Sequence, residues 1–279
     1  MNVLSKLIVP SRAPDPDGLV VQVTPASAGW TYVGFEVFKM KAGRSLHRPT
    51  GDREACLVLL SGRANVATSG ATFRDIGERM TVFERIPPYS VYVPSQDAYT
   101  VEALTDLELA VCLAPGKGGH PARLIAPEKV ARETRGSGNL ERYIHHILPE
   151  QEPADSLLVV EVFTPAGHWS SFPPHKHDQD DLPRESYLEE TYYHRVHPER
   201  GFVMQRVYTD DRSLDVTMAV RDGDVVLVPR GYHSVSAPPG CASYYLNVMA
   251  GPVRTWKFHN DPDFEWIMSG QAARAQKEE

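Results

Sequence analysis

Short runs of β-branched and aromatic residues, each closed off by Gly, Pro, Asp or Ser, recur along this whole chain. Examples are Tyr32–Phe38, Leu57–Leu60, Leu157–Phe163, Phe202–Tyr208 and Val225–Val228. Runs of this length and composition read as strands. The competing pattern, apolar residues three and four apart over roughly 12 positions, is scarce. Its best candidates are Pro127–Arg135 and the tail after Phe264. Many short strands with few helices pack as sandwiches or barrels, so the expected fold class is all-β.

An internal repeat points to two such units. LVLLSGRANV leads to IPPYSVYVP in the first half, and a strand-rich block leads to RDGDVVLVP in the second. Both end in an apolar strand that runs into a proline. At 279 residues the chain has room for two domains of roughly 100–150 residues each. The expected division is a first barrel over 1–125, a connection over 126–153 and a second barrel over 154–279.

Composition narrows the class of function. The chain carries 29 basic and 36 acidic residues and no basic run, which argues against nucleic acid as a partner. Cys56, Cys112 and Cys241 are widely spaced and form no CxxC pair. They suit a reducing compartment and a role as core filler. The apolar stretch near the N-terminus is short and broken by Pro10, so neither a signal peptide nor a membrane span is expected. The expectation is a cytoplasmic protein without a membrane partner.

The residues that suggest chemistry lie in the second half. In PPHKHD, alternate side chains of an extended strand share a face, so His175 and His177 project together and Lys176 points away. Two imidazoles on one face can hold a divalent metal, although an isolated HxH is also what a surface hairpin offers. In EETYYH the same period puts Glu190, Tyr192 and His194 on one face and Glu189 on the other. DGDVVLVPRGYH ends an apolar strand at Pro229, turns at Gly231 and presents His233. Asn247 interrupts the apolar run YYLNVM, either as a satisfied core amide or as a group with a task.

The order HxH, Glu, then GDVVLVPRGYH resembles the two signature motifs of cupins, whose small barrels hold a metal with three His and one Glu. Carried over by position, the ligands are His175, His177, Glu190 and His233. The gap between His177 and Glu190 is longer than in the usual motif, so DQDDLPRESYL reads as an inserted loop. The turn before His233 is one residue shorter. RGSGNLERYIHHILP, PPHKHD, LPRESYLEETYYHR, GFVMQRVYTDDRSLD, YYLNVMAGP and WKFHNDPDFEW are similar to one cupin family, the 5-deoxy-glucuronate isomerases of inositol catabolism. That resemblance implies two tandem cupin-type (jelly-roll) β-barrels and an aldose-to-ketose isomerisation of a sugar acid. Relatives of that family act on 5-keto-4-deoxyuronates.

The same resemblance implies one divalent metal ion. The ligand set admits Zn, Mn, Fe, Ni or Co, and the family favours zinc. Moving a carbonyl from C1 to C2 needs a proton removed beside the carbonyl and one delivered to the neighbouring carbon, and a divalent cation stabilises the enediolate charge as a Lewis acid. Tyr192 and His194, on the expected Glu190 face, are the candidate catalytic groups. The substrate's carboxylate calls for a cation, for which Arg206 and then Lys257 are the candidates. The first half has no HxH, and His47 there reads as a solvated loop histidine, so that barrel is expected to be structural or to serve contacts in a homo-oligomer. A cupin Fe(II) dioxygenase and a sugar-sensing or storage cupin are the competing readings.

Overall fold

The computed structural model describes residues 7–268. Its strands form two double-sheet jelly rolls. In the first, a six-stranded sheet built around Arg53–Ser61 and Leu107–Pro115 faces a four-stranded sheet of Ser45–Pro49, Ala98–Ala103, Ala64–Thr68 and Thr72–Ile76. In the second, a seven-stranded sheet centred on Glu189–His197 and Ala242–Ala250 faces a five-stranded sheet that contains Val203–Tyr208, Tyr232–Ser236 and Trp169–Lys176.

The two large sheets pack back to back, which accounts for the nearly unbroken apolar runs in their central strands. Successive side chains of a strand point to opposite faces, and here both faces are buried. Along Leu107–Pro115, Leu107, Leu109 and Val111 fill the first barrel, while Ala110, Cys112 and Ala114 join the layer between barrels. Along Ala242–Ala250, Tyr245 and Met249 fill the second barrel, while Tyr244, Leu246 and Val248 meet that same layer. Cys56 and Cys112 lie buried in this layer as free thiols, and Cys241 is half-buried.

Two carboxylates tie the barrels together in a reciprocal way. Glu54, at the start of its strand in the first barrel, accepts the backbone N–H groups of Asp155, Ser156 and Leu157 at 2.7, 2.6 and 2.6 Å. Glu189, at the start of the matching strand in the second, accepts those of Thr31, Tyr32 and Val33 at 2.8, 2.7 and 2.9 Å. Between them, the Arg79 guanidinium of the first barrel forks onto Glu161 of the second at 2.9 Å, and His145 Nδ1 meets the same carboxylate at 2.7 Å. All these acids are buried, where each needs its donors.

Two parts of the chain differ from the sequence expectation. Pro127–Arg135 is not a helix: one 3₁₀ turn, Pro127–Lys129, precedes a strand, Ala131–Arg135, that pairs with Arg142–Leu148. The stretch 126–153 therefore contributes two strands to the seven-stranded sheet, Ala131–Arg135 at its edge and Arg142–Leu148 next to it, because pairing satisfies its backbone better than a free linker would. Ile8–Val9 also joins that sheet, beside Val225–Val228. DQDDLPRESYL forms a small hairpin of Asp178–Asp181 with Glu185–Tyr187. Of the tail after Phe264, the part to Ile267 completes the 3₁₀ turn Pro262–Ile267, and 269–279 lies outside the described residues.

Candidate active site

The second barrel brings four polar side chains together inside an otherwise apolar core. His175 and His233 come from paired strands of the five-stranded sheet, where they are register partners with ring centroids 4.6 Å apart. His177 follows the first of these strands, and Glu190 reaches in from the facing sheet. The ligand nitrogens of His175, His177 and His233 all lie within 4.8 Å of one another. Glu190 Oε2 lies 3.1 Å from His177 Nε2 and 3.2 Å from His233 Nε2.

Backbone carbonyls set the ring orientations. His177 Nδ1 is 3.0 Å from the Leu188 carbonyl, His233 Nδ1 is 3.1 Å from that of Gly231, and His175 Nδ1 makes a longer 3.5 Å contact to that of Pro173. A carbonyl only accepts, so the proton sits on Nδ1 and the Nε2 lone pair faces inward. Nε2 of His233 is buried without a hydrogen-bond partner. Three lone pairs and a carboxylate oxygen thus converge with no donor among them, an arrangement that fits a divalent cation. Burial works against ionised Glu190, but the imidazoles of His233 and His177, when they carry a second proton, outweigh it and hold the carboxyl down to about 2. Burial, reinforced by the neighbouring histidines, holds His175 well below the usual imidazole range, in its ligand form.

A cavity of about 290 Å³ opens beside this group, near the low end for small-molecule sites. His175, Glu190, Tyr192 and Asn247 contribute to its wall, with Trp256 and Phe258 on an apolar side. A distortion in the strand Trp169–Lys176 makes the room. Four residues, Ser171 to Pro174, lie between paired positions that one residue, Ser234, separates on the partner strand. Such a bulge lifts a strand off its ladder and re-aims its side chains. Ser171 sits in it with φ +48°, and its hydroxyl lies 3.1 Å from that of Tyr192 and 3.2 Å from that of Tyr245.

The other sequence candidates fall in different places. Tyr192 lines the cavity, and burial, then the charge of Glu190, raises its phenol well above the usual value. His194 shares the face of Glu190 but lies four residues along the strand, roughly 13 Å at 3.3 Å per residue, and does not line the cavity. It packs behind Tyr192 and bonds Gln205 through Nε2 at 2.8 Å, with burial lowering its pKa to about 4. Arg206 does not reach the site. Its neighbours Gln205 and Val207 take the inward face, so Arg206 turns outward and forks onto Asp215 at 2.9 and 2.8 Å. Lys257 is exposed, its backbone bonded to Ser186, while Trp256 and Phe258 on either side face the cavity. Two arginines that sequence reasoning did not single out, Arg135 and Arg142, lie on the wall instead. In the first barrel His47 is exposed, bonded to Thr100.

The KduI/IolB family matches residues 7–267 of this chain. A 5-deoxy-glucuronate isomerase from Geobacillus kaustophilus is 66% identical over 275 residues, covering 99% of this chain and 100% of its own length. One from Bacillus subtilis strain 168 is 51% identical over 251 residues, covering 90% and 93%. The crystal structure of an IolB-like protein from Salmonella typhimurium LT2 superposes with a TM-score of 0.92 at 53% identity, covering 94% of this chain and 99% of that one. An oxalate decarboxylase from Lactobacillus farciminis matches with a TM-score of 0.67 at 12% identity over 99% of this chain and 94% of its own, a likeness of fold alone.

Proposed function

The chain belongs to the KduI/IolB family, and from that premise we infer that it isomerises 5-deoxy-D-glucuronate to 5-dehydro-2-deoxy-D-gluconate. The change is an aldose-to-ketose conversion, and we place it in the catabolism of myo-inositol. The observation that carries the reading is the convergence of three inward-facing imidazole nitrogens and the Glu190 carboxylate, with no donor among them, beside a cavity sized for a small sugar acid.

His175, His177, His233 and Glu190 would hold one divalent cation, zinc by family resemblance. That ion supplies Lewis-acid stabilisation for the negative charge of an enediolate. The chain's own residues do the rest. The conversion moves one proton from C2 to C1 and another between O2 and O1. The Tyr192 hydroxyl stands on the cavity wall and can exchange its proton along the bond to Ser171, a role typically worth 10²–10⁴-fold in rate. Asn247 is held by the Thr191 carbonyl at 3.3 Å and offers its amide oxygen to a substrate hydroxyl. Trp256 and Phe258 exclude water from one side.

The test is an NMR assay of the purified protein with 5-deoxy-D-glucuronate in the absence of oxygen, with and without a chelator. Loss of the aldehyde-derived signals and growth of the ketone, stopped by chelator and restored by metal, is the expected result. An unchanged spectrum from metal-loaded protein would remove the assignment, and a requirement for oxygen would replace it with a dioxygenase.

A further inference from the structure

Arg142 is a buried cation with no acid of its own among the described residues. It is 8% exposed, and its one hydrogen bond runs from Nη1 to the Leu140 carbonyl at 3.0 Å. It forms no ion pair there, and it lines the cavity that His175 and Glu190 also line. Its position makes this costly. Arg135 is its direct cross-strand partner, and like charges opposite each other are destabilising. Arg135 is compensated: Nε and Nη2 fork onto Glu133 at 2.8 and 2.9 Å, and Glu133 also takes His146 Nε2 at 3.0 Å. No comparable group serves Arg142. Burial, opposed by Tyr245 and Glu133 and reinforced by the like charge of Arg135, lowers its pKa, the direction expected of a cation kept from water without a counter-charge.

We propose that Arg142 is the specificity-determining residue that receives the substrate's carboxylate, so that the cavity selects sugar acids over neutral sugars of the same shape. The inference rests on the isomerase reading above and adds to it where the acid end of the substrate lies. A planar guanidinium with free N–H groups matches a carboxylate in two parallel bonds, and the dry wall strengthens them. One end of the sugar then rests on the strand Arg142–Leu148, leaving the aldehyde end for the His and Glu group across the cavity.

The experiment compares wild-type protein with Arg142→Gln on two substrates, 5-deoxy-D-glucuronate and 5-deoxy-D-glucose, in which a hydroxymethyl group replaces the carboxylate. Arg142→Gln should raise KM for the acid roughly 10- to 100-fold, the range expected for a lost charge-assisted pair. KM for the neutral sugar and bound metal should stay within about twofold, and calorimetric binding of the acid should weaken by the same factor as KM. If Arg142→Gln does not fold, as judged by its melting temperature, Arg142→Lys replaces it. That variant keeps the charge and loses the fork, and KM for the acid should rise several-fold. An acid KM that stays at the wild-type value, or equal losses on both sugars, overturns the proposal. Failure of the wild type to turn over the acid is a different outcome and sinks the isomerase reading first.

Discussion

Each imidazole of the central group is aimed by a backbone carbonyl. The Nδ1 contacts to Pro173, Leu188 and Gly231 fix ring orientation before any ligand arrives, which makes the group pre-organised. His175→Ala should therefore abolish bound metal, measured by atomic emission, while the strand signature in far-UV circular dichroism persists. A variant that keeps one equivalent would refute the ligand set. Because Glu190 stays ionised down to about 2, acid should release metal by protonating the imidazoles, well before the carboxylate titrates. The period of two was enough to put His175 with His177 and Glu190 with Tyr192 in the sequence. It did not tell a charge inside a strand that faces a cavity from one that faces water. Arg206 has an outward acid, Asp215, on the neighbouring strand, and nothing local reveals that register. Arg142 opens RYIHHIL as an ordinary polar strand end would, and its cavity exists only once distant strands meet.

At the scale of elements, the turn before His233 carries the tightest constraint. Gly231 has φ +89°, and a Cβ there would lie 2.5 Å from the Tyr208 carbonyl oxygen. Its N–H donates to Asp178 at 2.7 Å, and its carbonyl orients His233. Gly231→Ala should cost about 2 kcal/mol or more in denaturant unfolding, through both strain and contact, and should lower metal affinity alongside. A loss of less than about 0.5 kcal/mol would show that the turn relaxes without consequence. Glycine at this turn was legible because it breaks an apolar strand just before a histidine. Pro127–Arg135 was not, since a nine-residue segment can complete either a short helix or an edge strand, and its pairing with Arg142–Leu148 decides the matter.

For the whole molecule, the two back-to-back sheets make the barrels one cooperative body. The fork from Arg79 to Glu161 crosses that layer with both side chains sealed from water. Breaking such a pair leaves a lone charge inside, so Arg79→Met should lower stability by about 3–5 kcal/mol, whereas Arg79→Met with Glu161→Leu should cost distinctly less. Additive losses in chemical unfolding would mean that the pair is not coupled. The repeat VYVP and VLVP was sufficient to suggest two barrels. That the barrels share a layer is also written in the chain, as strands apolar on both faces, but such runs do not say which sheet they meet.

One peptide unit separates the carboxylate clasped by Thr31, Tyr32 and Val33 from Glu190. The first barrel, in which no metal-ligating cluster forms among the described residues, thus acts as an anvil beneath the second, setting the height at which Glu190 enters the pocket. Cutting it away would strand Glu189 among apolar neighbours and let the strand beside it drift. The first barrel is thus part of the site's support, because the second leans on it through Glu189.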